Sequence, residues 1–185
     1  VYSSIDGYLL SKDKKTLILF PPGKANDKFT LLPPSIETIG DNSFLDCRKL
    51  TNVTIPNKVK TIGKRAFGLC KKLKTITFLC DEMIPAANIN TQQNEMSFDD
   101  GTQTGGDNMF AHITINVRKE LFDNYKNEQF YKNFQGGIQQ SFTVEDEEYI
   151  AMSEQSVNML STKRKDHTFV IPTSITHNSK NYSVN

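Results

Sequence analysis

Tryptophan is absent from this 185-residue chain, and cysteine is scarce at three. An odd cysteine count without C-x-x-C spacing argues against a disulfide framework and against the common thiolate metal motifs. The three histidines, His112, His167 and His177, fall in different segments without metal-ligand spacing. No apolar run approaches the roughly 18 residues of a membrane span. Excess charge is lacking too. Lys and Arg number 22 against 21 Asp and Glu, a net of +1. That balance excludes a globally basic nucleic-acid binder and an acidic solvating tail. The hydrophobic fraction of 37% is low for a compact globule yet well above disorder. It suits an elongated, surface-rich fold. The length favours one domain, or one domain with a small appendage. No signal peptide opens the chain, and Val1-Tyr2-Ser3-Ser4 reads as the interior of a longer protein.

The balanced total hides an uneven distribution. Residues 1–80 carry 14 basic and 6 acidic side chains, a net of +8. Residues 81–162 carry 4 basic and 14 acidic side chains, a net of −10. The remainder contributes +3. The chain is therefore expected to be dipolar, with a basic end able to meet acidic surfaces in a salt-dependent way.

Internal repetition is the strongest signal. Residues 33–55 read PPSIETIGDNSFLDCRKLTNVTI, and residues 56–78 read PNKVKTIGKRAFGLCKKLKTITF. Every match has an offset of 23: Pro33 with Pro56, Ile36 with Val59, Ile39-Gly40 with Ile62-Gly63, Phe44 with Phe67, Cys47 with Cys70, Leu50 with Leu73. Positions between them vary among Lys, Arg, Asp, Asn and Thr, the contrast a stacked repeat produces between buried and exposed sites. Leu50-x-x-Val53-x-Ile55 ends in period-two alternation, which predicts a strand with Val53 and Ile55 inward and Asn52 and Thr54 outward. Pro56 stops that strand, because it cannot donate to a ladder. Gly63 is expected to ease a bend.

These residues resemble the BspA-like leucine-rich repeats, also called the Treponema pallidum type. The second unit supplies nearly the whole family pattern: Leu50, Val53, Ile55, Pro56, Val59, Ile62, Gly63, Ala66, Phe67 and Cys70. The first unit departs only in Ser43, where Ala is usual. The resemblance covers residues 30–79 strictly and 1–141 loosely. It implies a β-rich α/β solenoid: a short right-handed leucine-rich-repeat stack of 23-residue repeats with N- and C-terminal caps, followed by a small β segment.

The flanks fit that expectation. Tyr8 to Phe20 reads as a hairpin turning at Lys12-Asp13-Lys14, within an N-terminal cap over 5–29. Residues 85–108 are polar, Gly-rich and aperiodic, and are expected to form a long loop. Ile113 to Val117 alternates as the next rung. Lys119 to Lys126 predicts a helix with Leu121, Phe122 and Tyr125 on one face. Residues 109–136, with Phe130, Tyr131 and Phe134, read as the C-terminal cap. The leucine-rich-repeat domain thus spans 1–136. Residues 137–185, with strands expected over Phe142 to Ile150, Val157 to Leu160 and Thr168 to Ile171 and a hairpin from Ser174 to Val184, form a separate small β segment or the start of a further repeat block.

Chemical sites are few. Cys47 and Cys70 are expected on adjacent rungs as small buried hydrophobes, with Cys80 buried as well. Asp99-Asp100-Gly101 and Gly105-Gly106-Asp107-Asn108 hold oxygen ligands but lack a Ca²⁺-loop spacing. No carboxylate pair stands out for acid–base work. The remaining constellation is the outward strand row: Asn52 and Thr54, Thr75 and Thr77, Thr114 and Asn116. In-register stacking would align it as a strip of hydroxyl and amide groups on the concave face.

The resemblance implies a non-enzymatic module of a bacterial cell-surface or secreted protein, in a Bacteroides-like setting. Such a module, expected to be monomeric, captures a host or extracellular-matrix protein or a glycan. Neither metal, cofactor, nucleic acid nor a membrane span is expected. The competing reading is a spacer with no ligand of its own. A glycan-active enzyme is disfavoured by the lack of an acid–base couple.

Overall fold

The computed structural model describes residues 2–5, 7–24, 30–89, 97–98, 112–134, 136–144, 147–151, 156–162, 174–177 and 180–184. The strands of the first part are β1 (Tyr2–Ile5), β2 (Tyr8–Ser11), β3 (Thr16–Leu19), β4 (Thr30–Leu31), β5 (Thr38–Ile39), β6 (Asn52–Ile55), β7 (Thr61–Ile62), β8 (Thr75–Phe78) and β9 (Thr114–Val117). The helix α1 (Phe122–Asn127) follows, then β10 (Ile138–Gln140). The last part holds β11 (Phe142–Val144), β12 (Glu147–Ala151), β13 (Ser156–Thr162), β14 (Ser174–His177) and β15 (Lys180–Val184). They form three sheets ordered β1-β2-β3-β5-β7, β10-β9-β8-β6-β4 and β11-β12-β13-β15-β14.

The second sheet is parallel throughout. Asn52 pairs with Thr75, Val53 with Ile76, and Ile55 with Phe78. Ile76 then pairs with Ile115, and Ile115 with Ile138. The first sheet opens with the antiparallel hairpin β2–β3 and its added edge β1. It continues in parallel through β5 and β7, where Thr38 pairs with Thr61. Each turn of chain thus contributes one strand to each sheet, the arrangement of a stacked-repeat fold.

Aromatic rings mark the rungs. Phe20 stacks on Phe44 at 4.7 Å, Phe44 on Phe67 at 4.8 Å, and Phe67 on Phe98 at 5.3 Å between centroids. Tyr8 meets Phe20 at one end and Phe134 meets Phe98 at the other. The backbone repeats with the rings. The N–H groups of Phe20, Phe44 and Phe67 donate to the carbonyls of Ser43, Ala66 and Ser97, each at 2.7 Å. Ser97-Phe98 therefore occupies the place of Ser43-Phe44 and Ala66-Phe67. Ile89 pairs in parallel with Ile62, the preceding rung.

This corrects the expected loop at 85–108. A 3₁₀ turn over Ala86–Asn88, Ile89 and the buried Phe98 belong to the stack. The extra residues between them broke the 23-residue spacing and hid the third rung from the sequence pattern. Residues 90–96 and 99–108, with Asp99, Asp100 and Gly101 to Asn108, lie outside the described residues.

Two positions per repeat take left-handed backbone: Asn42 and Arg65 at φ 56° and 46°, Asp46 and Leu69 both at φ 61°. Asn and Asp tolerate that region, whereas Arg65 and Leu69 carry about 1–2 kcal/mol of strain each. The rungs on both sides hold them there. Gly63 has no left-handed φ, so its backbone there is not one reserved for glycine. It is needed for close approach. A Cβ there would lie 2.7 Å from the Asp41 nitrogen and 2.8 Å from the Gly40 carbonyl carbon.

The aromatic residues near α1 close one side of the stack. Tyr125 and Tyr131 are fully buried against Phe78. The Tyr131 hydroxyl donates to the Ile84 carbonyl at 2.6 Å, and the Ile84 N–H donates to the Tyr125 hydroxyl at 3.3 Å. A 3₁₀ turn over Lys119–Leu121 precedes α1, so the segment expected as one helix is split. One apolar cluster runs from Leu10 to Phe134. A second, around Tyr149 and Ile175 with Tyr182 and Val184, belongs to the third sheet.

The expected domain border at 136 falls inside the parallel sheet. Ile138–Gln140 lies beyond it yet extends that sheet from β9. The segment expected as one strand over Phe142 to Ile150 is the antiparallel pair β11–β12. Strand β14 and strand β15 form the expected terminal hairpin. The strand expected at Thr168 to Ile171 lies outside the described residues.

Candidate functional site

The strand row read from the sequence aligns in register. Asn52, Thr75 and Thr114 form one line, and Thr54, Thr77 and Asn116 the next. Yet the row does not face water. Thr54 is 2% exposed, Thr75 6%, Thr77 0% and Asn116 2%. Only Asn52 and Thr114 are half-exposed. The Asn116 amide donates sideways to the Thr77 hydroxyl at 3.4 Å, and its Oδ1 has no partner among the described residues. An open concave strip is thus corrected to a largely closed one. Alternating polarity indicates which side chains share a face, not whether that face is open. Parallel sheets are commonly covered on both sides. Here β12 packs beside β9.

The accessible concavity lies elsewhere. A cleft of about 510 Å³ runs across three rungs where the two sheets are joined. Glu37 lines it from the first rung, Asn57 to Lys60 from the second, and Asp81 to Met83 with Pro85 and Asn88 from the third. The chain itself explains the hollow. Ile62 follows Ile55 by seven residues, whereas its partner Ile89 follows Phe78 by eleven. The additional length must leave the stack, and Asp81 to Asn88 overhangs the rung below.

Most walls are tied. The Asn57 amide donates to Asp81 Oδ2 at 3.2 Å, while Arg118 lies 3.6 Å from Asp81 Oδ1. The Asn88 amide donates to the Lys60 carbonyl at 3.1 Å. Glu37 is paired to Lys15 at 2.9 Å, and its hydrogen bond and charge hold the Lys15 ammonium above its ordinary pKa. Val59 is buried and Met83 half-buried, giving an apolar floor beneath exposed Lys58 and Glu82. The cleft combines both charges, amides and a thioether-lined floor, which suits recognition of a polar chain.

Chemistry-bearing groups lie apart from it. Cys47, Cys70 and Cys80 are free, buried thiols. Burial pushes Cys80 up to about 12, which removes thiolate at neutral pH. His112 is exposed, His177 sits on β14, and His167 is outside the described residues. Among the described residues no group of three His, Cys, Asp or Glu could hold a metal, and no helix is long and apolar enough to cross a membrane. Sequence reasoning did not single out Asn57, Lys58, Asp81, Glu82 or Met83. Their signal was the lengthened spacing after Phe78, readable only once Ile89 is aligned with Ile62.

The family described as the BspA type leucine rich repeat region matches residues 26–135, in six copies. The chain belongs to this family. The BspA-type match extends well past the two regular units and takes in the irregular third rung. A likeness is also found to the crystal structure of the pneumococcal vaccine antigen PcpA, 19% identical, covering 77% of this chain and 48% of that one at a TM-score of 0.31. The chain therefore spans about half the length of that antigen. No curated protein matches the chain.

Proposed function

We propose that this BspA-type chain is a non-catalytic binding module of a bacterial cell-surface or secreted protein, and that it captures a protein or glycan in the cleft at Asn57–Lys60 and Asp81–Asn88. The observation that carries the reading is the lengthened third turn, which builds an open, polar hollow with an apolar floor on an otherwise regular stack. A fixed scaffold supporting variable turns is how repeat proteins present ligand sites. The stack of 23-residue units, capped by the β2–β3 hairpin and by the aromatic residues around α1, keeps those turns rigid. The module acts as a monomer, and β11–β15 forms its accessory β segment. Of the strand row, Asn52 and Thr114 add contacts at its accessible margin.

A spacer with no ligand is the second reading. The closure of Thr54, Thr77 and Asn116 favours it, since it removes the expected binding strip. Titration of the purified chain against extracellular-matrix proteins and glycans separates the two. Saturable binding that Lys58→Ala/Glu82→Ala weakens at least tenfold, with an unchanged unfolding midpoint, supports the cleft. Saturable binding untouched by those changes rejects it. Absence of any saturable ligand supports the spacer.

A further inference from the structure

The repeat places a second set of side chains in register, on the turn that leads into the parallel sheet. Cys47 and Cys70 open this turn, and Leu50 and Leu73 close it, all four buried. The Leu50 N–H donates to the Cys47 carbonyl at 3.0 Å, and the Leu73 N–H to the Cys70 carbonyl at 2.9 Å. The Arg48 N–H donates to the Asp46 carbonyl at 2.8 Å, and the Lys71 N–H to the Leu69 carbonyl at 2.9 Å. The preceding Asp46 and Leu69 share φ 61°. Two turns of matching geometry thus hold Arg48-Lys49 and Lys71-Lys72 one above the other. Lys74 joins them, its N–H bonded to the Thr51 carbonyl of the rung below at 2.8 Å.

All five cations are exposed. Arg48 is paired with Asp46 at 2.6 Å. Among the described residues no ion pair joins Lys49, Lys71, Lys72 or Lys74. Rungs lie about 4.8 Å apart, well inside the screening length of about 8 Å at physiological salt. The lysines therefore repel one another and raise the local potential, which an extended polyanion would relieve.

We infer that Arg48, Lys49, Lys71, Lys72 and Lys74 form a stacked cationic ridge that binds a linear sulfated polysaccharide. The rung spacing is close to the length that one sugar residue adds to an extended chain, so successive sulfates meet successive rungs. Single-stranded nucleic acid is the less suited polyanion. It needs exposed aromatic rings on which bases stack. Among the described residues the exposed large hydrophobic side chains are Tyr2 and Leu19, neither in these turns. The ridge and the cleft share no residue, so this inference stands apart from the proposed function.

The test is a titration of the full chain with heparin, fully desulfated heparin and single-stranded DNA over a series of salt concentrations. Heparin should bind with log K falling linearly in log salt, and desulfated heparin should bind at least tenfold more weakly. Lys49→Ala/Lys71→Ala/Lys72→Ala should weaken heparin at least tenfold and reduce the salt slope by about 2–3. Its unfolding midpoint should be unchanged, because these side chains are solvated. Lys119→Ala/Lys126→Ala/Lys132→Ala removes the same charge elsewhere and should leave affinity within about twofold, as distant charges are screened. Equal loss in both variants would overturn the ridge, as would equal affinity for desulfated heparin. Tighter binding of DNA than of heparin at equal salt would also overturn it.

Discussion

Removing one ring from the aromatic column should cost more than removing an apolar side chain of similar size. Phe67 is fully buried and stacks on both neighbours, at 4.8 and 5.3 Å. Phe67→Ala combines lost burial with a cavity and should cost about 3–5 kcal/mol. That is a large share of the 5–15 kcal/mol typical of a domain. Phe67→Leu keeps most apolar volume but loses two ring pairs, each contributing about 0.5–1.5 kcal/mol beyond burial. It should therefore cost about 1–3 kcal/mol. Phe44→Leu breaks the same Phe44–Phe67 pair from the other side. The double variant loses that pair only once, so its cost should fall short of the sum of the singles by about 0.5–1.5 kcal/mol. Urea unfolding followed by far-UV circular dichroism measures all three, a suitable signal in a chain without tryptophan. Strict additivity, or a Phe67→Leu cost below about 0.5 kcal/mol, would refute energetic coupling of the rungs through this column.

Three further outcomes are expected. Gly63→Ala should lower stability by about 2 kcal/mol or more, because its methyl group would meet the Asp41 and Gly40 backbone as well as the Asp41 carboxylate, and moving that side chain leaves the backbone clashes in place; the same assay shows it, and a neutral result would remove the close-approach argument. Asn116→Thr should stabilise by about 1 kcal/mol, since it deletes a buried acceptor without a partner and continues the Thr54–Thr77 line; a loss of stability would mean that Asn116 Oδ1 is satisfied in solution. Stability should hold below about pH 8.5 and fall between there and about pH 12, because unfolded thiols ionise near 8.5 while folded Cys80 stays neutral up to about 12. Buried Tyr125 and Tyr131 are raised as well and steepen the decline above pH 10. Cys80→Ala should make the decline shallower by about 1.4 kcal/mol per pH unit over that window, as measured by urea unfolding at stepped pH.

The match between residues 33–55 and 56–78 determined a good deal unaided. It carried the strand positions, the stacked phenylalanines, the buried cysteines and the family. Those features recur because each unit buries the same face against its neighbour, and burial restricts residue type at a fixed interval. The third rung escaped the pattern. Its Ile89 and Phe98 follow Ile62 and Phe67 by 27 and 31 residues rather than 23, and periodicity is lost once spacing changes even though packing is kept. Access was likewise decided in three dimensions. Thr54, Thr77 and Asn116 have the alternation of a wet strand face, yet their exposure depends on what packs over the sheet, and alternation carries no record of that. The cleft arose from the same irregular turn, when residues 20 to 50 positions apart were brought together at Glu37, Lys58 and Glu82. Local chemistry specified the rung; only the stacking of unequal rungs decided where the surface opens.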